Sequence, residues 1–213
     1  MKIRKLLKTV ATNVAIAFFF SAIFVLIYYY IFEDKVSSYI SLINTTAIKR
    51  VSDEKNREIE YNFEQRTLLS YPKYGKKYAT LIIDKMNKKL PIYFGDTLKI
   101  LRYGIGHYAG SFFPGENGTI ILAGHNTSPY FKHLDDLKEG DKIVIETSYG
   151  TFTYKVDSFN VVKETNLKSF EIQHDKELLI MYTCYPMNHS VVGRRTKRYV
   201  VYAYKVGDMN AES

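Results

Sequence analysis

The sequence predicts a mainly β domain, a closed or nearly closed barrel of short strands, standing behind one apolar helix at the amino terminus. Three observations carry this reading. A run of 19 residues without charge lies close to the amino terminus. Between residues 78 and 206, seven or eight short segments of alternating or wholly apolar character are separated by turn clusters and brief helical interruptions. The 213-residue chain also holds 19 Tyr and 13 Phe but no Trp, a supply of aromatics that suits strands. That length has room for one modest domain plus extras.

The apolar run, Val14–Phe32, reads VAIAFFFSAIFVLIYYYIF. As a helix it would rise about 28 Å, close to the roughly 30 Å of a hydrocarbon core. Tyr28, Tyr29 and Tyr30 stand at its far end, where amphipathic rings favour the membrane interface. Residues 1–13 carry Lys2, Arg4, Lys5 and Lys8 and no acid. The expectation is a single-pass anchor over 14–32 with a cytoplasmic amino terminus and everything beyond it exported. A cleaved signal peptide would have an apolar core of about 7–15 residues ending at a small-residue site. This run is longer and ends in bulky rings.

Residues 33–77 read as an extracellular stalk. The stretch from Ile48 to Glu60 is mostly charged and has too little apolar surface to build a domain. The catalytic-sized unit is expected over 78–207, with 208–213 as a tail.

Within it, Ala79–Asp84 reads as a strand. So does Leu90–Phe94, with Pro91 pointing to an edge or a strand start. Gly95-Asp96-Thr97 offers a cap to a short helix over Leu98–Leu101. Pro114–Gly118 is a turn cluster, and Thr119–Ala123 is an apolar strand ending at Gly124-His125-Asn126. Lys142–Glu146 is a further strand. Thr151–Asp157 alternates, placing Phe152, Tyr154 and Val156 on one face. Leu178–Tyr182 is a buried strand leading into Thr183-Cys184, and Arg198–Tyr204 is the last strand.

The net charge of +8 does not imply a nucleic-acid partner. Half of the excess sits in residues 1–13, and no RNP-like, zinc-finger or helix-turn-helix pattern accompanies the rest. The spacing offers no phosphate loop, no Gly-x-Ser-x-Gly elbow and no metal-spaced His/Cys cluster. No cofactor or metal is expected. One cysteine excludes an internal disulfide and a Cys-rich zinc site.

That cysteine, Cys184, closes a strand and opens onto a loop, a place both rigid and accessible. A lone Cys is otherwise most often a small buried hydrophobe. His125 also follows an apolar strand, and a Cys beside a His is how a thiolate that attacks carbonyls is obtained. His107, His133 and His174 read as structural or surface residues, and His189 is the one rival for the base role. Among Arg194, Arg195, Lys197 and Arg198, an Arg facing the thiol would stabilise an oxyanion. Arg198 is the one next to a strand.

Leu122-Ala123-Gly124-His125-Asn126, Tyr182-Thr183-Cys184-Tyr185-Pro186 and Arg198-Tyr199-Val200-Val201, in that order, resemble the sortase family over about residues 78–206. The segments Gly104–Tyr108 and Pro114–Glu116 belong to the same resemblance, which is closest to class D. It implies an eight-stranded β-barrel with an amino-terminal anchor, and cleavage of an LPxTG-type sorting signal between Thr and Gly. It implies a thioacyl intermediate on Cys184 resolved by an amine of a peptidoglycan precursor or a pilin Lys. His125 would be the acid/base and Arg198 the oxyanion and substrate clamp. Ile180 stands where the family often has Thr. No amino-terminal lid and no second span are evident, which favours attachment to the wall over pilus building. The alternatives are an extracellular cysteine peptidase, a pilin-polymerising sortase and a non-catalytic barrel that binds a wall component.

Overall fold

The computed structural model describes residues 2–49, 59–187 and 195–207. Helix α1 (Lys2–Lys49) contains one stretch long and apolar enough to cross a membrane, Leu7–Tyr28. This stretch overlaps the charge-free run over residues 14–28. Phe18, Phe19, Phe20 and Phe24 on it are exposed, with no protein surface against them.

Strands β1 (Tyr61–Asn62) and β2 (Thr67–Leu68) form a small hairpin. The hairpin lies inside the stretch expected to be stalk, yet it packs on the domain. Leu68 is buried, and the Tyr61 hydroxyl donates to the Gly115 carbonyl at 2.8 Å. Glu116 ties the hairpin down by accepting from the Leu68 N–H at 3.0 Å and the Phe113 N–H at 2.9 Å. The expected boundary at residue 78 therefore falls within packed structure. Leu68 and the Tyr61 ring, which stacks on Tyr149, add apolar contact to these hydrogen bonds.

Eight strands close the barrel: β3 (Lys77–Ile83), β4 (Lys88–Phe94), β5 (Ile105–His107), β6 (Thr119–Ala123), β7 (Lys142–Thr147), β8 (Gly150–Lys163), β9 (Leu178–Tyr185) and β10 (Lys197–Lys205). Their order around the barrel is β10-β8-β7-β3-β4-β5-β6-β9. The β4–β5 and β6–β9 pairs are parallel and the remainder antiparallel. Helix α2 (Leu98–Leu101) is capped by the Thr97 side chain, which accepts from the Ile100 N–H.

Pro91 stands within β4, not at its start, and a closed barrel has no edge to offer it. The β5 pairing begins only at Ile92, so the missing N–H of Pro91 faces no partner on that side.

Alternation decides what each wall residue does. Ile120, Leu122, Leu179, Met181 and Val201 point into the interior, together with Phe152, Tyr154 and Val156 as expected. The intervening residues Ile121, Ile180, Val200 and Val162 form a second cluster on the outside of the wall. The crossover between β8 and β9 covers it, with Phe170 and Ile172 packed on top. Burying each such side chain is worth about 1.5–3 kcal/mol, so apolar packing holds the crossover against the wall. The Tyr202 hydroxyl adds a bond to the Ser169 carbonyl at 3.0 Å.

His107 is fully buried, as a structural residue. Ser111 Oγ donates to the Tyr108 carbonyl and accepts from the Ile121 N–H, which leaves it to accept from His107 Nε2 at 2.9 Å. His107 Nδ1 then accepts from the Tyr78 hydroxyl at 2.8 Å. Burial depresses the imidazole to about 3, so it is neutral in the fold.

Candidate active site

Strand register brings the three expected residues together. In the parallel β6–β9 pair, Ala123 lies opposite Tyr182. The ladder runs on beyond the strand, since the Gly124 N–H donates to the Tyr182 carbonyl at 3.1 Å. Thr183 Oγ1 donates to the Gly124 carbonyl at 2.8 Å. One more step sets His125 beside Cys184. In the antiparallel β9–β10 pair, Cys184 lies opposite Arg198.

His125, Cys184 and Arg198 thus form one row across three adjacent strands, which lie about 4.8 Å apart. The row lies on the outer face of the barrel, because Thr183 takes the inward position and is buried.

Each member is held. Asn126 Nδ2 donates to the Cys184 carbonyl at 3.2 Å and the Pro186 carbonyl at 3.3 Å, pinning the turn after His125 to the turn after Cys184. The Phe131 N–H donates to the His125 carbonyl at 2.8 Å. Burial lowers the pKa of His125 first, and the positive charge of Arg102 lowers it further. Arg102 is brought near by Tyr130, whose hydroxyl donates to the Arg102 carbonyl at 2.6 Å.

Arg198 Nη2 pairs with Glu164 at 2.8 Å, and its Nη1 donates to the carbonyls of Arg195 and Lys197. A guanidinium has five N–H donors, so among the described residues its Nε–H and one Nη2–H have no partner. Arg195 thus contributes a backbone carbonyl to the holding of Arg198. His189 and Arg194 lie outside the described residues.

A cleft of about 620 Å³ opens beside the row, between Arg198 and the β8–β9 crossover, with Ile121 and Tyr182 on its floor. The other histidines are elsewhere. His133 is exposed next to Asp136, and the His174 ring lies edge-on to Phe112.

Sequence reasoning passed over Glu164, Asn126 and Arg102. Asn126 stood inside a quoted motif without a role. Nothing local marked Glu164, which meets Arg198 only because Lys163 pairs with Lys197. Chemically, the row places a thiol between an imidazole and a guanidinium, beside a cleft that the guanidinium lines. That arrangement suits acyl transfer from a peptide carbonyl.

Comparison with known proteins agrees with this. Residues 81–206 match the Sortase domain family. The chain is 38% identical over 135 residues to Sortase D of Bacillus subtilis (strain 168), covering 63% of this chain and 67% of that protein. Among solved structures, the Clostridium perfringens Sortase D5 transpeptidase superimposes with a TM-score of 0.59 at 26% identity, over 79% of this chain and 99% of that one. Sortase C from Clostridium perfringens SM101 gives a TM-score of 0.56 at 31% identity, over 63% of this chain and 72% of its own. On the fold, the row of three residues and these similarities, the chain belongs to the sortase family of transpeptidases and is most like its class D members.

Proposed function

We propose that the chain is a membrane-anchored cysteine transpeptidase, which cleaves an LPxTG-type sorting signal between Thr and Gly and passes the acyl group to a cell-wall amine. The observation that carries this is the single row of His125, Cys184 and Arg198 on the outer wall, of which Arg198 also lines the cleft. Cys184 gives its proton to His125, and the thiolate attacks the Thr carbonyl carbon. A C–S bond forms and the carbonyl electron pair moves to oxygen. The free N–H groups of Arg198 stabilise that oxyanion. Its collapse breaks the C–N bond, and His125 protonates the departing Gly amine. An amine of a peptidoglycan precursor then loses a proton to His125 and attacks the thioester, restoring the thiolate.

Leu7–Tyr28 serves as the anchor, and its bare apolar side chains find lipid as their partner. The basic residues before it keep the amino terminus in the cytoplasm, so the barrel works outside the cell.

The test uses the full chain in lipid nanodiscs, a quenched LPxTG-type peptide library, and runs with and without an added amine. Cleavage at one motif, an amine-bearing product and loss of all turnover in Cys184→Ala are expected. Arg198→Ala is expected to lower kcat by about 10²–10³. Turnover that survives in Cys184→Ala would remove the cysteine from the mechanism.

A further inference from the structure

The two sides of the cleft differ in chemistry. Leu167, Phe170 and Ile172 of the crossover make one side apolar. Opposite them stand Asp96 and Tyr108, with Tyr182 on the floor between. The Phe170 ring meets Tyr182 edge-on, with centroids 5.0 Å apart. On its other side the ladder partners are small: Ala123 is opposite Tyr182, and Gly106 is the partner of Ala123. Asp96 rests directly on that gap, since a Cβ on Gly106 would come within 2.9 Å of the Asp96 Cα. Any larger residue at 106 would lift Asp96 away from the cleft.

The two carboxylates that line the cleft are not equivalent. Glu164 is neutralised by Arg198 at 2.8 Å. Asp96 has no cation within ion-pair distance among the described residues, and only its own backbone N–H bonds to it. The Tyr182 hydroxyl likewise makes no hydrogen bond to another described residue, while its ring is largely buried. Burial pushes the Asp96 carboxyl up, and burial with the Asp96 charge pushes the Tyr182 phenol up to about 12. When a peptide enters and water leaves, an acceptor left without a donor costs free energy, and a substrate that brings the donor recovers it.

We propose that Asp96, with the hydroxyls of Tyr108 and Tyr182, selects sorting signals carrying an N–H-donating side chain, ammonium or amide, within the four residues on the amino side of the cleaved bond. This rests on the cleft receiving the acyl half of the sorting signal. The distances fit. Tyr182 lies two places before Cys184 on one face, roughly 6.6 Å along the strand, a span that an extended peptide covers in two residues. A Lys or Gln side chain starting there reaches the Asp96 side. The apolar crossover takes the neighbouring side chain.

The experiment compares kcat/KM of the full chain in nanodiscs on peptide pairs that differ at one upstream position, Lys against norleucine and Gln against Met. At one position or more, the donor-bearing peptide is expected to lead by about tenfold or more. In Asp96→Ala that ratio falls towards one. Asp96→Asn loses the Lys preference but keeps part of the Gln preference, and Tyr182→Phe lowers both. Equal cleavage of each pair by the unaltered chain, or a ratio that persists in Asp96→Ala, overturns the proposal while leaving the transpeptidase reading intact. If the unaltered chain cleaves no peptide of either kind, the transpeptidase reading falls and the specificity proposal falls with it.

Discussion

His125 is held short of a proton by its surroundings. Burial disfavours the charged imidazolium, and Arg102 adds a like charge beside it. A lowered pKa means the imidazole loses its proton at a lower pH than a free histidine, so the form needed to protonate the leaving amine is the minor one at neutral pH. Removing the Arg102 charge must raise the pKa. In a Cys184→Ala background, where no thiol titrates alongside, Arg102→Met is expected to move the NMR titration midpoint of His125 upward. With Cys184 present, the acidic limb of kcat/KM moves to higher pH in the same variant. Arg102 is exposed, so the effect shrinks as salt screens it. An unchanged or lower midpoint at low salt would refute the electrostatic account. Arg102 and Glu164 were illegible in the sequence for one reason: their partnerships are set by where strands and loops meet in space. Glu164 and Arg198 are 34 residues apart, and no local pattern announces such a pair. His125, Cys184 and Arg198 could be named from the sequence because each sits near a strand terminus within a short motif that resembles the sortase pattern.

The strands show why alternation is readable only in phase. The pattern in Thr151–Asp157 was plain, yet β8 runs on to Lys163. Its register against β10 shifts between Tyr202 and Ala203: Ser158 faces Tyr202 and Val156 faces Ala203, leaving Asp157 bulged. Beyond that point the phase changes and Val162 serves the outer cluster, so the alternation stops even though the strand does not. Strand β5 was missed because three residues with a central Gly carry no period at all. The β1–β2 hairpin was missed because its two-residue strands are too short to show a period, and its attachment combines Leu68 and Tyr61 on the core with bonds to Glu116. That gives a sharp expectation. Glu116→Ala strips the bonds to the Leu68 and Phe113 N–H groups, which should cost about 2 kcal/mol in denaturant unfolding. It should also make the chain near Arg66 open to limited proteolysis. If the variant is as stable and as resistant as the unaltered chain, apolar contact alone holds the hairpin.

At the scale of the whole molecule, the barrel has no edge strands, and the proposed catalytic row is laid on the outside of the wall. The interior stays a packed core, and the cleft can vary without disturbing it. Part of the outer face lies under the β8–β9 crossover, and the row of His125, Cys184 and Arg198 lies beside that cover. On the proposed anchoring by Leu7–Tyr28, the enzyme would search in two dimensions. A client held in the same bilayer by its own apolar tail meets it at an effective concentration that short tethers bring to roughly millimolar. Affinity for a free peptide can then be weak at no loss of flux. Vesicles carrying both the full chain and a tail-anchored sorting signal should therefore react far faster than the same signal supplied as soluble peptide at equal bulk concentration. Splitting the two between separate vesicles should abolish the reaction. Equal rates in all three arrangements would mean that the anchor only retains the protein. On the proposed anchoring, the helix would do for encounter what a deep binding pocket does in a freely diffusing enzyme.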